Sequence, residues 1–108
     1  MPAQARIDYQ AGSARVTSAG AFLASDGNVQ SVLRTGTGVY ELTMSPQMSG
    51  LEHVAFVQVI NATAVDLCAN LEPVSASIYR VRGVSNDGSG PAAADIAFFF
   101  EINRVRNQ

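Results

Sequence analysis

Apolar and polar residues alternate along most of the chain, a pattern that is typical of β-strands with one buried face. Between Val65 and Glu72 the apolar residues fall on odd-numbered positions, opposite Asp, Cys, Asn and Glu. Between Asp95 and Asn103 they fall on even-numbered positions, and Phe99 adds one large apolar residue to the opposite face. The segment from Tyr40 to Met44 alternates in the same way. These three segments are predicted to be half-buried strands.

The segment HVAFVQVIN, from His53 to Asn61, is apolar on both faces. One face carries Val54, Phe56, Gln58 and Ile60, and we expect it to face the core. The other face carries Ala55, Val57 and Val59. Strands that are covered on both sides have this composition. We therefore expect the face of Ala55, Val57 and Val59 to be covered by a loop or by another subunit.

Turn-forming sequences separate these runs, and several short strands between turns favour an all-β architecture. The turn sequences are SDGN, TGTG, SPQMSG and SNDGSGP, and the further candidate strands lie in 5–9, 14–25, 28–35 and 74–82. The predicted fold is an antiparallel β-sandwich, jelly-roll-like, with about eight strands. Residues 13–108 are predicted to form a single domain, and residues 1–12 an N-terminal arm or an edge strand.

The composition excludes several classes of function. Charged residues are only 15% of the 108-residue chain, the net charge is −2, and all seven basic residues are arginine. Sequence-independent nucleic-acid binding needs a field of positive charge that this chain lacks. One cysteine rules out an internal disulfide. No signal-peptide core and no run of about 20 apolar residues is present. We expect a soluble protein that is made in a cytoplasm, with no membrane and no nucleic-acid partner.

Two glycines, Gly36 and Gly38, stand immediately before a strand. A dinucleotide-binding fingerprint needs a third glycine at position 41, which is Glu41, and a following helix. A Walker phosphate loop needs a lysine, and the chain has none. Glycine accepts positive φ, so the segment TGTG is predicted to be a turn at which two strands reverse.

No catalytic group of residues is evident. His53 is the only histidine, and Asp66 or Glu52 could orient it, but no serine lies in a G-x-S-x-G elbow. A pair of Cys68 with His53 stays open beside the favoured reading of an unreactive thiol. One histidine and one cysteine are too few for a tetrahedral zinc site. We predict no enzyme, no cofactor, and no catalytic or metal-binding residue.

Arginines occur in two pairs, Arg80 with Arg82 and Arg104 with Arg106. Residues two apart share one face of a strand, so each pair would lie on one face. If the two strands are neighbours, the four side chains would form a patch. A solvated face with neighbouring acids and an electrostatic contact with a partner both stay open.

The stretch NVQSVLRTGTGVYELTMSPQMSG, from residue 28 to residue 50, followed by HVAFVQVIN and DIAFFFEINRV, resembles modules of tailed-bacteriophage virion proteins. Such modules occur in tail fibres and in capsid decoration (cement) proteins. Trimeric C1q-like jelly rolls have a comparable Gly-Val-Tyr strand start. The resemblance implies a jelly-roll-like sandwich that works by assembly and supplies no catalytic residues.

The short chain has no coiled-coil heptads and no shaft repeat, which favours a capsid decoration protein over a tail-fibre protein. The expected partners are capsid or other virion proteins and further copies of the chain, as a dimer or trimer; the expected location is the virion, after synthesis in the host cytoplasm. The residues expected to make these contacts are Ala55, Val57, Val59, Phe99, Arg80 and Arg82. The alternative is a tail-fibre or receptor/carbohydrate-binding module. Sugar sites favour aromatic platforms, and the chain has no Trp and three Tyr.

Overall fold

A computed structural model describes residues 6–45, 53–60, 67–75, 77–86 and 90–106. Nine strands lie within these ranges and no helix does. In chain order they are β1 (Arg6–Val16), β2 (Phe22–Ser25), β3 (Val29–Gly36), β4 (Val39–Met44), β5 (His53–Ile60), β6 (Leu67–Pro73), β7 (Ile78–Asn86), β8 (Pro91–Ala93) and β9 (Ala97–Arg106).

The strands form two sheets. Sheet A has the order β2-β1-β9-β5, and sheet B has the order β3-β4-β7-β6, with the short β8 beside the end of β7. Every recorded strand pair is antiparallel. The two sheets pack face to face, which confirms the predicted all-β antiparallel sandwich.

The core lies between the inner faces of the two sheets. On β4 the side chains of Tyr40, Leu42 and Met44 are buried, as the alternation predicted. On sheet A the buried residues include Phe98 and Phe100 of β9. The Tyr40 ring meets the Phe98 ring edge-on with centroids 5.2 Å apart. Because a buried large apolar side chain contributes about 1.5–3 kcal/mol, these rows account for much of the association of the sheets.

The first strand is longer than predicted. The segments 5–9 and 14–16 were expected to belong to separate strands, but they are joined in β1, which pairs with β9 from Arg6 to Val16. Gly12 lies within this strand beside an irregularity of the register, and a Cβ at this position would lie only 3.1 Å from the Ile102 side chain. The glycine therefore lets two strands approach closely and does not end the strand. The domain boundary at residue 12 stays a prediction.

Candidate protein-docking surface

The chain reverses between β3 and β4 within the segment TGTG, as predicted. Thr37 and Gly38 connect β3 to β4, and Gly38 has a φ of 71°. A Cβ at Gly38 would lie 2.7 Å from the Ala94 carbonyl oxygen and 2.8 Å from that of Gly83. The Gly38 N–H donates to the Asp95 carboxylate over 2.7 Å. This backbone donor is therefore used by an anion of the chain itself.

Asp95 links the turn to Arg34 of β3. The Arg34 guanidinium donates from Nε and Nη2 to the two Asp95 oxygens, at 3.0 and 2.9 Å. The Arg34 guanidinium, and then the Gly38 N–H, hold the pKa of the Asp95 carboxyl below its ordinary value. Nearby, the buried Tyr40 hydroxyl donates to the Ser18 carbonyl oxygen and accepts from the Ile96 N–H. This cluster connects the β3–β4 hairpin to the segment before β9 and to the turn after β1, and its polar groups are used for structure.

The outer face of sheet B carries a chain of ion pairs. Arg80 on β7 contacts Glu41 on β4 at 3.0 Å and Glu72 on β6 at 3.3 Å. Arg82 contacts the same Glu72 at 2.9 Å. The two arginines share one face, as predicted, and they have acidic neighbours. Their charges are therefore compensated within the chain, and their predicted role in a protein contact stays a prediction.

The proposed patch of four arginines does not form. Arg80 and Arg82 lie on β7 in sheet B, whereas Arg104 and Arg106 lie on β9 in sheet A. The condition for a patch was that the two strands be neighbours. Strands in opposite sheets do not meet it.

The outer face of sheet A is different in character. Phe56 on β5 is 49% exposed and Phe99 on β9 is 46% exposed. The Arg15 guanidinium on β1 lies over the Phe99 ring, 5.4 Å from its centroid. The ladder places Gln58, Phe99 and Arg15 side by side in one row, and Glu101 pairs with Phe56 in the next row. The outer face of sheet A thus exposes two aromatic side chains among polar ones.

The orientation of β5 corrects the expectation from sequence. Ala55, Val57 and Val59 pack against the core, so the face expected to be covered by a partner points into the protein. Phe56 and Gln58 point outward instead. The reason is register: Val57 is paired with the buried Phe100, and directly paired residues lie on the same side of a sheet. The expected contact of Ala55, Val57 and Val59 with a partner stays a prediction.

Sequence reasoning placed Phe99 outside and Phe56 inside. The signal that identifies Phe56 is Gln58, two residues along, because a polar side chain on the same face marks that face as solvent-exposed. Asn103 also differs from expectation. It was expected to face solvent but is only 7% exposed, and it is paired with Gln10 on one side and Val54 on the other.

A shallow groove crosses the outer face of sheet A. Its volume is about 710 Å³, and its lining includes Arg15, Asp26, Gln58, Phe99 and Glu101. The groove is open to solvent along the sheet and has both an aromatic side chain and charged groups of both signs. The outer surface of sheet A, which includes this groove and Phe56, is called the sheet A face below.

Other chemistry-bearing residues do not converge in the part of the chain that the structure describes. Cys68 is exposed on β6. No group of three or more His, Cys, Asp or Glu in the described ranges is placed to hold a metal ion. Within the same ranges, no helix has the length and apolar character needed to cross a membrane. The side chain of His53, which was considered as a base, lies outside the described atoms.

Comparisons with protein-family models, with curated proteins and with solved structures gave no match. Because no relative indicates a function, the function has to be inferred from the structure, and the sheet A face is the surface that bears on it.

Proposed function

We propose that this chain is a non-enzymatic structural protein of a tailed-bacteriophage virion, a capsid decoration protein that stabilises the shell by repeated protein contacts. The observation that carries the proposal is the exposure of Phe56 and Phe99 on the sheet A face. Exposed apolar patches rimmed by polar residues mark protein interaction sites, and Phe56 and Phe99 line one recess of this face together with Gln58 and Glu101. Aromatic residues and arginine are also enriched at the centres of such sites.

The charge distribution supports a role in assembly. Arg80 and Arg82 are paired with Glu41 and Glu72, so the sheet B face carries compensated charge. Only 15% of the residues are charged, which leaves much of the surface weakly hydrated. A decoration protein acts in many copies on one shell, so contacts of modest area add up through repetition.

Co-sedimentation with undecorated capsids tests this function. We expect the purified protein to pellet with the shells and to raise the temperature at which they open. The double variant Phe56→Ser/Phe99→Ser should bind at least about tenfold more weakly, because aromatic anchors carry a large share of interface energy. Leu33→Ser is the matched control, since Leu33 is 64% exposed on β3 of the other sheet. Failure of the unaltered protein to bind shells contradicts the proposed function.

A second candidate, a receptor- or carbohydrate-binding module of a tail fibre, is favoured by the groove on the sheet A face. Gln58 and Glu101 offer polar groups beside the Phe99 ring, as sugar sites require. One face of that ring is already covered by Arg15, which leaves less room for a stacked sugar. Binding on a glycan array that is lost in Phe99→Ser would favour this candidate over the capsid role.

A further inference from the structure

We propose that the sheet A face binds a second copy of this chain, so that two molecules pack face to face about a two-fold axis. The inference rests on the proposed function only in taking this face as a protein contact, and it does not depend on the capsid. It assigns Phe56 and Phe99 to a contact between two copies in the free protein, and on a shell a capsid subunit takes the place of the second copy on this face.

The size of the face suits a small specific dimer. Sheet A has four strands spaced about 4.8 Å apart, and the ten residues of β9 span about 34 Å. The footprint is therefore about 500 Å². Small specific interfaces bury about 1,200 Å² in total, or about 600 Å² of accessible surface per partner. A side-chain surface has more accessible area than its flat footprint, so the face is large enough.

The charges on the face complement those of a second copy. Arg15 lies in the row of Phe99, and Glu101 lies two residues further along β9. A two-fold contact uses the same patch on both partners, so a face with both signs can pair with itself. Glu101 already interacts within its own chain. Its carboxylate can accept several hydrogen bonds, and a guanidinium from the partner adds to that interaction.

The ladder geometry places Phe99 close to the symmetry axis. Phe99 is about 5 Å from its ladder partner Arg15 and about 7 Å from Glu101 in its own strand. A two-fold axis in the interface that places Arg15 opposite the partner's Glu101 runs midway between these two positions. Because Phe99 is nearly equidistant as well, the two Phe99 rings meet near the axis. Each ring is then flanked by an Arg15–Glu101 pair between copies.

The sheet B face lacks this arrangement. Its ion pairs run continuously from Glu41 through Arg80 and Glu72 to Arg82 within one chain. A second copy on that face would have to compete with these pairs or desolvate them, which is costly. Among the described residues, its exposed large apolar side chains are Leu33, on the edge strand β3, and Val74, which directly follows β6. The sheet A face is therefore the one assigned to the second copy.

The mass of the purified protein in solution, measured over a range of concentrations, tests the inference. We expect twice the mass of one chain at high concentration, and a dissociation constant raised at least about tenfold in Phe99→Ser. Leu33→Ser should leave the dissociation constant unchanged. Far-UV circular dichroism of each variant shows whether the fold is retained. A single-chain mass at every concentration, or a dimer that Phe99→Ser leaves intact, overturns the inference.

A charge exchange tests the pairing itself. Arg15→Glu and Glu101→Arg should each weaken the dimer, because each places like charges opposite one another across the axis. The double variant Arg15→Glu/Glu101→Arg should restore at least half of the lost association. If it is no stronger than the single variants, the proposed arrangement is wrong. Capsid co-sedimentation is a separate readout. A protein that forms dimers but does not bind shells would refute the proposed function and would not affect the dimer inference.

Discussion

Single residues decide how the turn before β4 is built. Gly38 has a positive φ and sits against the Gly83 and Ala94 backbone, and its N–H is bonded to Asp95. The turn itself could be predicted from the sequence, because the missing third glycine and the absence of lysine removed the phosphate-binding alternatives. The role of Asp95 could not, because it lies 57 residues away along the chain. Only the folded chain brings it to the turn.

Gly38→Ala should lower the free energy of unfolding by about 3 kcal/mol, because a β-carbon meets two carbonyl oxygens and the left-handed backbone is strained. Urea denaturation measures this loss. Gly36→Ala, at the end of β3 beside the turn, is the control, since a Cβ there meets nothing within 4 Å. Equal losses in the two variants would show that the close approach at Gly38 is not what requires glycine.

Asp95→Asn should flatten the acid dependence of stability. The pKa of the Asp95 carboxyl in the folded protein lies below its ordinary value of 3.8, because Arg34 and the Gly38 N–H stabilise the charged form. The resulting stabilisation is present above pH 3.8 and disappears as the pH falls through the lower folded pKa. Urea denaturation at a series of pH values should show a smaller acid loss in the variant. Parallel curves would mean that Asp95 contributes nothing to acid unfolding.

At the scale of elements, β5 shows what alternation alone leaves open. Its two faces are both apolar, so the pattern predicts a strand but does not say which face is inside. The ladder with β9 decides it, because Val57 lies beside the buried Phe100. In β4, where one face is polar, the sequence predicted the buried side correctly. The buried side is predictable in β4 because its two faces differ in polarity, and it is not predictable in β5 because both faces are apolar.

The same substitution on successive residues of β5 tests its orientation. Val57→Asp should destabilise the fold by at least about 2 kcal/mol, because it places a carboxylate against the core. Phe56→Asp should change stability by less than about 1 kcal/mol, since its side chain is half exposed. Thermal unfolding followed by circular dichroism compares them. A larger loss in Phe56→Asp would reverse the assigned faces.

The ion pairs on sheet B make unequal contributions. Arg80→Met keeps much of the aliphatic stem but leaves Glu41 and Glu72 close together without the cation between them. We expect a lower urea midpoint, with a larger decrease at low salt because added ions screen the repulsion. Arg82→Met is the control and should have a smaller effect, since Arg82 is more exposed and Glu72 is the one acid it contacts among the described residues. Equal, salt-independent midpoints would contradict a coupled chain of charges.

At the scale of the whole molecule, the fold class could be predicted because short alternating runs between turns have few other solutions. The strand order could not, since the pairing of β9 with both β1 and β5 joins distant parts of the chain. The sheet A face follows from that order. Phe99 was recognised in the sequence as an outward apolar residue, but its neighbours Arg15 and Phe56 become neighbours only through β1 and β5.

The most direct test of the central claim is the reactivity of Phe56 and Phe99 toward hydroxyl radicals as the protein concentration rises, read by mass spectrometry. If a second molecule covers the sheet A face, both side chains should become at least about tenfold less reactive as dimers form, while Leu33 on sheet B stays unchanged. Constant reactivity of Phe99 from dilute to concentrated solution would contradict the account, because the ring would then face solvent in every state of the protein.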